Sequence, residues 1–157
     1  KLKMILSKNF TLSELTKSAD AIRKGLDNSP DQTVVDNLTL LAEHVLQPIR
    51  DHFNKPVTIN SGYRSKAVNA SVGGSITSDH CKGMAADIEI AGVDNAALAK
   101  HIVDAYKFTQ VILEFYTPGV GSSGWVHVSY DVNNLKGQVL TAIKRDNKTV
   151  YLPGLVA

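Results

Sequence analysis

The chain of 157 residues is long enough for one domain with a hydrophobic core of its own, so a metal is not needed to hold the fold together. Its 43% hydrophobic and 20% charged residues are typical of a globular protein. The net charge is +2 and no block of like charges occurs, so the sequence does not show the clustered basic residues of a nucleic-acid-binding protein. No apolar run reaches the ~20 residues of a membrane span, and the only cysteine, Cys81, excludes an internal disulfide.

The first half of the chain is predicted to be mainly helical. Thr11, with Glu14 three residues later, is a capping-box pattern that predicts a short helix. Segment 30–53 carries apolar residues at three- and four-residue spacing, which predicts an amphipathic helix with a bend near Pro48. A short strand beginning at Pro56, a glycine turn and a short helix that ends at two glycines are predicted to follow.

The second half is predicted to consist mainly of strands. Alternating patterns predict strands at 84–90, 110–116 and 124–131, and a helix capped by Asp94 or Asn95 is predicted between the first two. Two further β-prone runs flank a turn at Asp146 and Asn147. Helices followed by strands with one crossover helix favour a single α+β domain over residues 1–157, with a mainly antiparallel sheet.

Three of the predicted strands carry an ionisable residue on the face that lies opposite their apolar face. Because side chains alternate along a strand, Asp87, Glu114 and His127 each lie opposite the apolar face of their own strand. Glu114 has large apolar neighbours, and a carboxylate there is costly to bury unless it is paired or functional. If the strands pair, the three side chains converge on one face of the sheet, and His80 arrives from the preceding loop.

These residue types point to zinc chemistry. Two imidazoles and a carboxylate are ligands that Zn²⁺ prefers, and three protein ligands leave a fourth position open, as in catalytic sites. Zinc makes water more acidic, and Glu114 would be free to take a proton from that water and pass it to a leaving amine. The pattern therefore predicts a hydrolase of amide bonds that uses one Zn²⁺ per chain.

Each residue also has an ordinary structural interpretation. A His-to-Asp spacing in a loop is weak on its own, His127 can be a hydrogen-bonded core histidine, and Glu114 can be an edge-strand charge that discourages aggregation. Cys81 adjoins His80, but neighbouring side chains on an extended segment point apart, so we expect no role for it. The remaining histidines fall in helical patterns and have no partner at ligand spacing; they are His44, His52 and His101.

Four segments between about Phe10 and Tyr130 decide between these interpretations. They are "LSEL", the run from Val45 to Ile88, "QVILEFY" and "GWVHVS". In this order they resemble the zinc D-alanyl-D-alanine carboxypeptidase-like peptidases of bacteria and phage genomes. The resemblance implies a fold of the Hedgehog and D,D-peptidase type, with helices packed on one side of the sheet.

The resemblance also assigns roles to individual residues. The family's motif residues are met here by Ser78, His80, Gly83, Asp87, Trp125 and His127. By resemblance the zinc ligands are His80, Asp87 and His127. Arg64 corresponds to an active-site arginine that would hold a substrate carbonyl or carboxylate and stabilise the oxyanion, although a surface ion pair is its ordinary interpretation. Ser78 would hydrogen-bond the substrate.

The chain departs from better-known relatives at two positions. Many metallopeptidases of the broader class place the catalytic carboxylate three residues before the last histidine, and this chain has Gly124 there. Glu114 is therefore the best remaining candidate for the base, and Asp131 stays open. Asp79 stands where glutamine is usual and adds negative charge beside the expected metal.

The resemblance implies peptidoglycan stem peptides as substrates and cleavage as a D,D-carboxypeptidase or an endopeptidase. The opening segment "KLKMIL" is a poor signal peptide. We therefore expect a phage endolysin or virion-associated lysin, made in the cytoplasm and acting at the bacterial cell wall or periplasm after release. The alternative is a non-catalytic zinc-containing module that binds the cell wall or serves a structural role. The sequence does not decide the oligomeric state, for which a monomer is our expectation.

Overall fold

The structure is a computed structural model that describes residues 4–156, so part of the segment behind the signal-peptide expectation lies outside the described residues. Its elements are β1 (Ile5–Ser7), β2 (Phe10–Thr11), α1 (Leu12–Thr16), α2 (Ala19–Lys24), α3 (Gln32–Leu41), a π-helical segment (Ala42–Leu46), α4 (Gln47–Phe53), β3 (Thr58–Ser61), α5 (Lys66–Ser71), a 3₁₀ turn (Asp79–Lys82), β4 (Ala85–Glu89), α6 (Asn95–Ala105), β5 (Gln110–Glu114), β6 (Trp125–Ser129), β7 (Gln138–Arg145) and β8 (Lys148–Pro153).

A six-stranded sheet forms the centre of the molecule. Its strand order is β3-β4-β6-β5-β7-β8, and every neighbouring pair is antiparallel except β5 and β7. The predicted α+β fold with a mainly antiparallel sheet is confirmed. The parallel pairing of β5 and β7 was not predicted, because alternation along a strand does not specify its partner.

One face of the sheet carries the hydrophobic core. The strands contribute buried apolar residues to this core, including Ile88, Val111, Leu113, Val126 and Val128. The helices pack against them with Leu38, Leu41, Ile49, Leu98 and Ile102. Fully burying such a side chain stabilises the fold by roughly 1.5–3 kcal/mol. Because alternate residues of the strands are committed to this core, the intervening polar residues must lie on the opposite face.

The helix caps and the turn that the sequence predicts are present in the structure. Thr11 caps α1 by accepting a hydrogen bond from the backbone N–H of Glu14, and Asp94 caps α6 through the N–H groups of two alanines. Asp146 and Asn147 both have positive φ, at 52° and 61°, in the tight turn between β7 and β8. This is the backbone that asparagine and aspartate tolerate best after glycine, so the predicted turn is present.

The long helix predicted over 30–53 is interrupted. Between α3 and α4 the chain forms a π-helical turn, in which the N–H of Gln47 donates to the carbonyl of Ala42. This irregularity directly precedes Pro48, whose ring nitrogen has no N–H to offer the preceding turn. The predicted disturbance near the proline is therefore a change of hydrogen-bond register. Within residues 4–156 no helix is long and apolar enough to cross a membrane.

Candidate active site

Strand register places the predicted site residues on one face of the sheet. Asp87 on β4 lies opposite His127 on β6, and His127 lies opposite Ile112 on β5. Glu114, two residues along β5, lies opposite Trp125. Directly paired residues project from the same side of a sheet, so Asp87, Glu114 and His127 share the face opposite the core.

His80 reaches this face from the 3₁₀ turn that precedes β4. The hydroxyl of Ser78 accepts a hydrogen bond from the His80 backbone N–H at 3.2 Å and caps the turn. On the buried ring, Nδ1 lies 2.7 Å from the carbonyl oxygen of Gly62. A carbonyl can only accept, so Nδ1 carries the proton and Nε2 keeps a free lone pair. That nitrogen lies 3.4 Å from Oδ1 of Asp87.

The two histidines and the aspartate form a cluster that could hold a metal ion. One ligand atom from each of His80, Asp87 and His127 lies within 4.8 Å of the others, and His127 Nδ1 is 3.0 Å from Asp87 Oδ1. Around a zinc ion with bonds of ~2.0–2.2 Å, tetrahedral ligand atoms are roughly 3.3–3.6 Å apart. The 3.4 Å contact between His80 and Asp87 matches this spacing, and the 3.0 Å contact between His127 and Asp87 is slightly shorter. The donor types fit zinc, and three protein donors leave one position for water or substrate.

The charges in the cluster are coupled. Burial would raise the pKa of Asp87, but the hydrogen bond from His127 and the positive charge of that residue hold it well below its usual range. Burial would lower the pKa of His127, but the hydrogen bond to Asp87 and the nearby negative charges raise it. In the metal-free chain the two residues thus form a buried ion pair, and a cation that displaces the proton of His127 finds a carboxylate already ionised.

Glu114 lines the same groove, half-buried, beside this cluster. Its Oε2 accepts a hydrogen bond of 2.6 Å from the indole N–H of Trp125. Burial, and then the charge of Asp87, raise the pKa of Glu114, while the charge of His127 and the indole hydrogen bond act against that rise. A carboxylate whose pKa lies above its ordinary value accepts a proton more readily, which suits a general base.

The backbone explains why no carboxylate stands at position 124. Gly124 has a φ of 63°, and a Cβ there would lie 2.0 Å from the carbonyl oxygen of Glu114. No side chain fits without moving the strand end, so the carboxylate position of the better-known relatives is closed in this chain. Asp131 is occupied in a turn, where its Oδ1 accepts from the N–H of Asn133, and it does not line the groove.

Arg64 and Ser78 also line the groove, which has a volume of about 580 Å³. The Arg64 backbone N–H donates to the carbonyl of His80, and its side chain makes only a 3.5 Å contact with Ser61. Its Nε is buried without a hydrogen-bond partner among residues 4–156, and no carboxylate there forms an ion pair with it. The guanidinium is therefore free to bind a substrate oxygen.

Other groove residues were not identified from the sequence. They include Thr109, Gln110, Lys136 and Tyr151. Tyr151 lies in the groove because β7 pairs with β5 and β8 pairs with β7. Glu114 is opposite Ala142, and Ala142 is opposite Tyr151. No local pattern specifies that strand order, so Tyr151 could not have been predicted without the topology. Gln110, in contrast, lies on the same face of β5 as Glu114, and alternation along the strand was enough to indicate it.

The residues that were expected to have no role lie outside the cluster. Burial raises the pKa of the Cys81 thiol, which disfavours the thiolate that metals bind, and Cys81 is not among the clustered donors. His44 stacks on Tyr130, and His52 stacks on His101 with ring centroids 3.8 Å apart. Among the described residues, the only group of three metal-binding side chains is the one formed by His80, Asp87 and His127.

Comparison with known proteins adds an independent result. No curated protein matches the chain. The family model described as Peptidase M15 matches residues 8–129, which is well over half of the chain and includes every residue of the cluster and Glu114. The chain therefore belongs to the peptidase M15 family, a zinc-dependent, D-Ala-D-Ala carboxypeptidase-like family of metallopeptidases that act on peptidoglycan.

Proposed function

We propose that this chain hydrolyses the peptide stem or cross-link of bacterial peptidoglycan, as a D,D-carboxypeptidase or an endopeptidase at a D-amino-acid bond. One observation carries the proposal: a three-donor cluster, a guanidinium without an ion-pair partner among residues 4–156 and a carboxylate with raised pKa all line one open groove. Hydrolysis of an amide needs a metal position, a group for the oxyanion and a base, and the groove offers candidates for all three.

His80, Asp87 and His127 are the residues proposed to hold zinc. The fit rests on their donor types, on the free lone pair that the Gly62 carbonyl secures on His80 Nε2, and on the contacts of 3.4 Å and 3.0 Å to Asp87 Oδ1. When bound, zinc supplies a Lewis acid that polarises the scissile carbonyl and makes water a stronger acid.

Glu114 is the proposed general base. It takes the proton from the attacking water, holds it, and delivers it to the nitrogen of the leaving amine when the C–N bond breaks. Its place on the open face of the sheet supports this assignment over Asp131, whose side chain is committed to a turn outside the groove.

Arg64 and Ser78 are the proposed substrate-binding residues. The guanidinium of Arg64 donates to the oxygen of the scissile carbonyl as it gains negative charge, or to a substrate carboxylate. The Ser78 oxygen already accepts the His80 N–H, and its own hydrogen is available to donate to a peptide carbonyl.

The alternative is a module on the same fold that binds zinc and cell wall without turnover. A Glu114 side chain turned into the core would favour that module. Glu114 instead lines the groove with the metal-binding cluster, which favours the enzyme. We further propose that the enzyme is a phage endolysin or virion-associated lysin, made in the cytoplasm and acting at the wall after release.

Digestion of purified peptidoglycan, with mass analysis of the released fragments, tests these proposals. Free D-alanine would identify a carboxypeptidase, and loss of cross-linked dimers would identify an endopeptidase. A zinc-loaded protein that binds the wall but releases no fragment would support the binding module instead.

A further inference from the structure

The chain has a single tryptophan, and its indole N–H is directed at the proposed base. Trp125 Nε1 lies 2.6 Å from Glu114 Oε2, and the two residues are a directly opposed cross-strand pair on β6 and β5. We infer that Trp125 is a positioning residue for Glu114: it fixes one carboxylate oxygen and leaves the other free to take and give the proton. The inference rests on the proposed function.

The surroundings hold the indole in place. The Trp125 ring packs edge-on against Phe115, with ring centroids 5.4 Å apart. Phe115 has a φ of 55° and Gly124 a φ of 63°, so the backbone leaves the extended conformation directly after β5 and directly before β6. These changes of conformation end the pairing of β5 and β6 at Glu114 and Trp125, which places the hydrogen bond at the rim of the sheet where the groove opens.

A neutral donor is suited to this task. An arginine or lysine would also hold the carboxylate, but its positive charge would lower the pKa of Glu114 and weaken it as a base. Among the described residues no arginine, lysine or histidine forms an ion pair with Glu114. The uncharged indole N–H fixes the orientation with a smaller effect on basicity, and it has no lone pair with which to compete for the proton.

Only one oxygen of Glu114 is engaged in this way. Its other oxygen, Oε1, makes no hydrogen bond to any residue of the described chain. With Oε2 fixed by the indole, the carboxylate cannot rotate freely about its last bond, so Oε1 keeps one direction. A base that is already held in its reactive orientation lowers the entropic part of the activation barrier. Small misplacements of a catalytic group can lower rates by about 10²-fold.

Because Trp125 is the only tryptophan, global replacement in a tryptophan auxotroph alters this residue alone. β-(3-Benzothienyl)alanine has the shape of tryptophan but a sulfur in place of the N–H. In the zinc-loaded protein it should lower kcat for peptidoglycan cleavage about 10- to 100-fold, with KM and zinc content little changed. 5-Fluorotryptophan keeps the N–H and is the matched control, so it should retain the natural kcat. Normal kcat in the benzothienyl protein would overturn the inference.

Two further measurements separate this inference from the proposed function. In a Glu114→Gln background the benzothienyl replacement should cause no further loss, because the group that it positions is already disabled. If Glu114→Gln alone remains active, the proposed base is wrong. If Glu114→Gln is inactive and the benzothienyl protein is fully active, only the positioning role of Trp125 is wrong.

Tryptophan fluorescence tests the contact without any turnover. Glu114→Ala removes the acceptor of the indole N–H and should change the emission of Trp125, whereas Asp131→Ala, outside the groove, should leave it unchanged. An emission spectrum that does not respond to Glu114→Ala would contradict the contact on which the inference stands.

Discussion

Asp87 and His127 lie directly opposite each other on β4 and β6, with His127 Nδ1 3.0 Å from Asp87 Oδ1. Two of the three proposed zinc ligands are thus a cross-strand pair, and their relative position is set by the same backbone hydrogen bonds that build the sheet. The third, His80, is oriented by the Gly62 carbonyl. The donors are therefore arranged by the fold itself, before any metal binds.

We expect one tightly bound zinc per chain in protein purified without added metal, as measured by elemental analysis. His80→Ala removes one of three protein donors, so it should lose both zinc and peptidoglycan hydrolysis. The fold should largely survive, because the hydrophobic core lies on the other face of the sheet. Circular dichroism would check that survival. A His80→Ala protein that carries a full equivalent of zinc would show that the ligand assignment is wrong.

Glu114→Gln should abolish most activity while zinc remains bound. Glutamine keeps the size of the side chain and an oxygen for the Trp125 N–H, but it cannot accept the proton. Loss of general-base catalysis typically lowers the rate by ~10²–10⁴-fold, which fragment release from peptidoglycan would measure. Asp131→Asn is the control and should be close to neutral. Near-normal hydrolysis by Glu114→Gln together with a loss in Asp131→Asn would move the base to Asp131.

The strand pattern was enough to predict the face on which Asp87, Glu114 and His127 lie, because alternation is a local property of extended chain. The partner of each strand is not local. The parallel neighbour of β5, and with it Tyr151 in the groove, depends on how the chain returns after β6. The hydrogen bonds that orient His80 and Glu114 also join residues 18 and 11 positions apart, so no spacing motif contains them.

Gly124 offers a test of why the base sits on β5. Introducing Gly124→Glu into the Glu114→Gln protein restores a carboxylate at the position that better-known relatives use. It should not restore activity, because the Cβ would meet the Glu114 backbone carbonyl and the backbone has positive φ. The positive φ alone should destabilise the fold by about 1 kcal/mol or more, measurable by urea unfolding, and the clash adds to that loss. Recovered hydrolysis without loss of stability would contradict this account of the departure.

The raised pKa of Glu114 predicts how stability depends on pH in zinc-free protein. Burial, and after it the charge of Asp87, lift this pKa above its ordinary value of 4.5, so the folded chain binds the proton more tightly than the unfolded chain does. The free energy of unfolding therefore receives its full contribution from protonated Glu114 below pH 4.5, and that contribution is lost as the pH rises through the raised pKa.

Glu114→Gln removes this dependence, because glutamine stays uncharged at every pH. In chelator-treated protein, Glu114→Gln should therefore melt at a higher temperature than the natural chain near neutral pH, and the difference should shrink as the pH falls towards 4.5. The comparison belongs in zinc-free protein, since a bound cation would favour the charged carboxylate and reduce the effect. Thermal melts at a series of pH values measure it. A difference that is independent of pH, or that grows in acid, would mean that the burial of Glu114 does not disfavour its charge.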